Sequence, residues 1–119
     1  MTYLAFVFVA LVALEHLYIL ILEMVFWTKP RALKVFGMSK EDAENSKIVA
    51  ANLGLYNGFL GAGLIWGLVH PEPSIGVQVQ IFFLLCVLVA ALYGGVTAKK
   101  SILLVQGLPA LVALLLVIL

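Results

Sequence analysis

Residues 13–27 read A-L-E-H-L-Y-I-L-I-L-E-M-V-F-W, and they place Glu15, His16 and Glu23 inside an apolar run that extends from about Tyr3 to Trp27. As a helix, a run of that length can cross the hydrocarbon of a bilayer, which takes about 20 apolar residues. Ionisable groups at membrane depth cost a few kcal/mol each on insertion scales. They usually face a bundle interior or a wet cavity, and they mark function by default. The stretch therefore decides the fold class, a helical membrane protein, and shows where chemistry is to be sought.

The rest of the chain agrees. Of 119 residues, 65% are hydrophobic and 11% charged, whereas a soluble domain is about half apolar and about a quarter charged. The length allows one domain, residues 1–119, and the net charge of +1 gives no case for nucleic acid as a partner. Cys86 is the only cysteine and lies in an apolar run. It can form no intrachain disulfide and reads as a small core or lipid-facing residue. No Lys or Arg precedes the first run, which is longer than the apolar core of a signal peptide, about 7–15 residues. A retained span is expected.

Four spans are expected, at about 3–27, 48–69, 75–97 and 102–118, the last at the short end. The short second and third connections make neighbouring helices antiparallel. The first connection holds Lys29, Arg31, Lys34, Lys40 and Lys47, and the third holds Lys99 and Lys100. The second holds no cation. The positive-inside rule then puts the basic connections in the cytoplasm and both termini outside, a multi-pass arrangement. Within the first connection, Thr28-Lys-Pro-Arg reads as a helix start with Pro30 in its first turn, and Gly37 suits its stop. A short interfacial helix is expected there, with its basic residues toward lipid headgroups. Ser39 opens an imperfect capping box with Asp42 and should start a helix that runs into the second span.

The second span carries Gly54, Gly58, Gly61, Gly63 and Gly67. Small residues let helices approach closely in lipid, within a monomer as readily as between copies. In the fourth, Pro109 removes a backbone donor and frees the carbonyl of Val105, next to Gln106. Irregular backbone at membrane depth is tolerated where it is buried or lines a cavity.

Counting about 1.5 Å per residue from each span end turns topology into depth. Glu23, Asn52, Tyr56, Asn57, Tyr93 and Gln106 fall in one polar layer of the cytoplasmic half, with Glu15 and His16 near the midplane. His16 and Glu23 are seven residues apart and share a face, with Trp27 close to that stripe. Gln78 and Gln80 fall near the outer face and read as wet helix ends. One reading is a cytoplasm-facing pocket, with Glu15 and His16 at its floor, Glu23 in its wall, and Asn52, Tyr56, Asn57, Tyr93 and Gln106 lining it. A Glu–His pair is suited to moving protons. No Lys or Arg lies within a span, so the pocket would take protons, cations or neutral hydrogen-bonding molecules rather than anions. The other reading is packing: such side chains hydrogen-bond across membrane helices at about 0.6–2 kcal/mol each and hold bundles together.

No metal site is expected. His16 and Glu23 lie about 10 Å apart along one helix, and zinc wants three or four ligands at about 2 Å. No cofactor motif, nucleotide-binding glycine loop or Ser/His/Asp signature is present, and the span-two glycines follow no strand.

At these residues the chain resembles the small bacterial membrane proteins of the domain of unknown function 1304 family. The matching pieces are E-H-L-Y-I-L-I-L-E-M-V-F-W at residues 15–27, K-V-F-G at 34–37, A-N-L-G-L-Y-N-G-F-L-G-A-G-L-I-W-G-L at 51–68, L-Y-G-G-V-T at 92–97 and V-Q-G-L-P-A at 105–110. They touch all four expected spans. Family members often carry Gln in place of Leu53 and Ala in place of Gly61, so the missing amide could alter the pocket or a helix contact. The resemblance implies four helices in a bacterial inner membrane and brings no activity with it.

Three functions remain open on sequence. The first is a transporter- or channel-like protein that binds a small molecule, cation or proton, which in so small a bundle would call for a homo-oligomer. The second is an intramembrane enzyme acting on a lipid-like molecule through His and Glu acid–base chemistry. The third is an accessory membrane protein whose polar layer is a packing network.

Overall fold

The computed structural model describes residues 2–119 and is helical throughout, with no strand among the described residues. Its helices are α1 (Tyr3–Met24), α2 (Pro30–Phe36), α3 (Lys40–Val69), α4 (Pro73–Thr97) and α5 (Leu108–Ile118), with a π-helical turn at Leu103–Gly107 leading into α5. The molecule is a rod of 47 × 26 × 19 Å. α1, α3 and α4 are long and apolar enough to cross a membrane, by length and composition. The stretch Leu103–Ile118 is apolar but shorter, so of the four expected spans three reach that length.

The helix ends follow local chemistry. The Thr2 hydroxyl caps α1 by accepting from the Ala5 N–H at 3.1 Å. Ser39 caps α3 in the same way, accepting from Asp42 N–H at 3.1 Å, so one helix does run from the capping box through the glycine-rich stretch. α2 starts at Pro30, whose ring presets φ and whose missing N–H is not needed in a first turn. It stops at Gly37, which sits at φ +62°, where a Cβ would be strained. α1 ends at Met24. Trp27 therefore lies beyond the helix, not on the stripe with His16 and Glu23.

The helices pack as a ring: α1 lies against α3 and α5, and α4 lies against the same two. The glycines of α3 are used within the chain. A Cβ at Gly54 would come within 2.9 Å of Glu23 Cβ, one at Gly58 would collide with Leu20, and one at Gly61 would stand 3.0 Å from the Ala13 carbonyl oxygen. Those three let α3 close on α1. On the other side of α3, Gly63 faces the Phe83 ring, and a Cβ at Gly67 would lie 2.7 Å from Gln80 Cγ. Gln80 is not a wet helix end. It is 1% exposed, and its Nε2 donates to the Gly67 carbonyl at 3.0 Å. Close backbone approach at Gly67 and Gly76 brings α4 near enough for this bond, and no water is needed to satisfy the amide nitrogen.

The core is built from Val9, Val12, Ala13, Leu64, Leu84, Val87, Ala110, Ala113 and Leu114. These positions lie toward the end of the rod that holds the chain termini. Large apolar side chains are also exposed along the outside of every long helix, among them Leu14, Phe59, Val89 and Val96. A surface so apolar is compatible with a membrane protein, because lipid rather than water then covers it.

Candidate functional site

At the other end of the rod the ring opens. α1 packs along α3 and α5 but has no comparable contact with the π-helical turn. Pro109 explains the turn. It has no N–H to give the Val105 carbonyl, and its ring would press on that carbonyl in a regular helix. The backbone widens instead, and the Leu108 N–H donates to Leu103, five residues back. The resulting gap is a cavity of about 620 Å³. Glu15, Tyr18, Ile19, Leu22 and Glu23 of α1 form one wall, Val105 and Gln106 another, and Asn57 of α3 contributes one polar group.

Glu23 is the best-held polar group in it. The Gly54 contact sets α3 against α1 at this level, and Asn57, one turn along, donates from Nδ2 to Glu23 Oε1 at 2.7 Å. Glu23 is only 7% exposed. Glu15 lies two turns deeper, and its Oε1 is shielded from solvent without a hydrogen-bond partner. Among the described residues the only ion pair is Lys47–Glu44 at 3.3 Å, on the surface, so neither cavity carboxyl has a cation partner. No group of three or more His, Cys, Asp or Glu is placed to hold a metal ion among the described residues.

α2 closes the cavity at the basic end. Val35 and Phe36 turn into it. The Lys99 ammonium donates to the Phe36 carbonyl at 3.1 Å, tying the third connection to the end of α2. Trp27 packs on the Phe36 ring with centroids 4.8 Å apart, and its Nε1 donates to Ser46 Oγ at 3.1 Å. Arg31 Nε donates to Tyr18 Oη at 2.9 Å. The helix foreseen at the lipid interface thus also serves as the cover of the cavity.

Of the residues singled out by depth, the structure gathers Glu15, Glu23, Asn57 and Gln106 around one space. It leaves the others out. His16 is buried at 1% exposure, outside the cavity lining, and its Nδ1 donates to the Val12 carbonyl at 2.9 Å. Asn52 turns back to its own helix, donating to Ile48 at 2.9 Å. Tyr56 and Tyr93 are 54% and 71% exposed on the outside of the bundle. Leu53 is also exposed and lines no part of the cavity. Depth alone missed Tyr18, Trp27 and Lys99. Tyr18 had a signal: Glu15, Tyr18 and Leu22 are spaced i, i+3, i+7 and share a face.

Fold and site together define a class: a small all-helical protein, with helices fit to cross a membrane and an acid-lined pocket covered by a short helix at one end. The chain belongs to the family described as protein of unknown function (DUF1304), whose model matches residues 10–118. It is similar to "Uncharacterized protein YpaA" of Lactococcus lactis subsp. lactis (strain IL1403), with 37% identity over 116 residues, which cover 96% of each chain. No solved structure matches it. The matched segment contains every polar residue of the cavity named above.

Proposed function

We propose that this chain is a four-span protein of the bacterial inner membrane that binds a small molecule in the cavity at its basic, cytoplasmic end. α1, α3, α4 and the stretch Leu103–Ile118 would be the spans. All seven Lys and Arg residues fall in the connections 25–47 and 98–102 or at the start of α3, which supports the orientation. α3, with 30 residues, is about 45 Å long and exceeds the hydrocarbon thickness of about 30 Å. Its charged first turns, Lys40–Lys47, would project into the cytoplasm.

One observation carries the binding reading: a cavity of about 620 Å³ with a cover of its own, lined by two carboxyl groups that meet no cation. A packing network would have filled the space. The half of the bundle nearer the termini is packed. Binding therefore needs one chain, whereas transporter- or channel-like passage would need that core to open or a homo-oligomer to supply a path. Acid–base catalysis through His16 has less support, because His16 is held to its own helix away from the cavity.

The test is thiol labelling in membrane vesicles of known orientation, in a Cys86→Ser background. Gln106→Cys should react with a membrane-impermeant reagent from the cytoplasmic face only. Ala113→Cys, in the core, should react from neither face. Labelling of Gln106→Cys from outside, or its complete protection from both faces, would overturn the proposal.

A further inference from the structure

We infer that the cavity takes a lipophilic primary amine, its ammonium at the Glu15 carboxyl and its apolar body between α1 and the π-helical turn. The inference rests on the pocket reading above and adds the chemical class of ligand. It starts from what the cavity lacks. Two carboxyl groups line it, and no side chain of opposite charge meets either one. Glu23 already accepts from Asn57, while Glu15, which also lines the cavity, accepts from no donor among the described residues. A carboxyl left without a partner is penalised, more so when it is charged, so a ligand whose donor meets the Glu15 carboxyl removes that penalty. An ammonium brings both the hydrogen bond and the opposite charge.

The walls set the rest of the ligand. Ile19, Leu22, Val35, Phe36 and Val105 are apolar, and a volume of about 620 Å³ is within the usual range for small-molecule pockets, about 300–1,000 Å³. Anions are opposed by both carboxyls. Lys99, the cation at the rim, is held to the Phe36 carbonyl and forms no ion pair with either carboxyl. No third His, Cys, Asp or Glu joins the two carboxyls to hold a divalent metal among the described residues. An amine with an aryl or alkyl body matches both the acidic floor and the greasy walls.

The experiment uses the full chain in discs of phosphatidylcholine, which carries no net charge, at neutral pH. Saturable binding is measured for three probes of one skeleton: phenylbutylamine, phenylbutanol and phenylbutyrate. The amine should bind more tightly than the alcohol by about tenfold or more, and the carboxylate should not bind. Glu15→Gln keeps the side-chain volume and should weaken the amine by about tenfold or more while leaving the alcohol unchanged. Glu72→Gln, in the short connection at the far end, should change neither. Equal binding of amine and alcohol, or tighter binding of the carboxylate, would overturn the amine assignment. So would an unaltered amine affinity in Glu15→Gln. The pocket reading fails separately, through protection of Gln106→Cys: labelling from the cytoplasm with no amine binding removes the ligand class and keeps the pocket.

Discussion

Asn57 and Asn52 are five positions apart on α3 and have opposite surroundings. Asn57 reaches across to Glu23, where it supplies a partner for a carboxyl that is almost fully buried. Asn52 is exposed and bonds only to its own helix. Asn57→Ala should therefore destabilise the fold by about 1–2 kcal/mol, whereas Asn52→Ala should be close to neutral. Unfolding of the two variants in mixed micelles compares them directly, and equal losses would show that the Glu23–Asn57 bond holds nothing. Gly67 permits a sharper contrast. An added Cβ would lie 2.7 Å from Gln80 Cγ and 3.0 Å from the Gly76 carbonyl oxygen, and backbone cannot swing aside as a side-chain tip can. Gly67→Ala should cost about 1–3 kcal/mol and loosen the buried Gln80. At Gly94 the nearest atoms stand at 3.4 Å, both from the flexible Ile102 side chain. Gly94→Ala should be tolerated or mildly stabilising, since Ala is the better helix former. If both variants melt alike, the α3–α4 approach is not set at Gly67.

α2 is the element whose role changed most between sequence and structure. Pro30 and Gly37 announced its ends, and its charges announced an interface. Nothing in its own residues showed that Val35 and Phe36 would cover a cavity, because that depends on where Lys99, 62 residues beyond Gly37, returns to meet it. The same holds for the polar layer. Depth follows from counting residues, and Glu23, Asn57 and Gln106, which it drew to one level, line one space. Azimuth depends on which neighbour a helix faces. On α3 that information was present but unused: Asn57 lies near the stripe Gly54, Gly58, Gly61 that meets α1, whereas Asn52 and Tyr56 lie roughly half a turn away. Gln80 was misread for a related reason, since a residue near a helix end is wet only if no neighbour covers it. A single bond ties the end of α2 to the third connection, so the element-level prediction concerns Lys99. Lys99→Met removes the donor to the Phe36 carbonyl and should raise hydrogen exchange across Ala32–Phe36, as well as thiol labelling of Gln106→Cys, by several-fold. Lys100→Met, at the adjacent position with no such bond, should do neither. Unchanged exchange in Lys99→Met would mean that the Trp27–Phe36 and Arg31–Tyr18 contacts hold the cover alone.

On the scale of the whole molecule, the rod divides into a packed end and an open end, and the division coincides with charge. The ends of α1 and α4 and the starts of α3 and the π-helical turn meet where every Lys and Arg lies, while both chain ends and the short α3–α4 connection carry none. In the proposed four-span arrangement the termini would share a side, and the cations would determine which. Lys and Arg near span ends resist translocation, which would keep the basic end in the cytoplasm during insertion. The connection at 70–72, which holds no Lys or Arg, and the C-terminal Leu119 would then cross readily. A phosphatase that matures only outside the inner membrane should accordingly be active when fused after Leu119, and a fluorescent protein fused there should fail to mature during export. Ser74→Cys in the Cys86→Ser background should react with impermeant thiol reagents from outside, and Ser101→Cys, in the cavity lining beside Lys99 and Lys100, from the cytoplasm. The opposite pattern at both positions would place the cavity on the outer side. Its ligand would then arrive from outside the cell, with the acid-lined pocket itself unchanged. A mixed pattern, with Ser74→Cys and Ser101→Cys reacting from the same side, would instead mean that α4 does not cross, and the four-span arrangement would have to be abandoned.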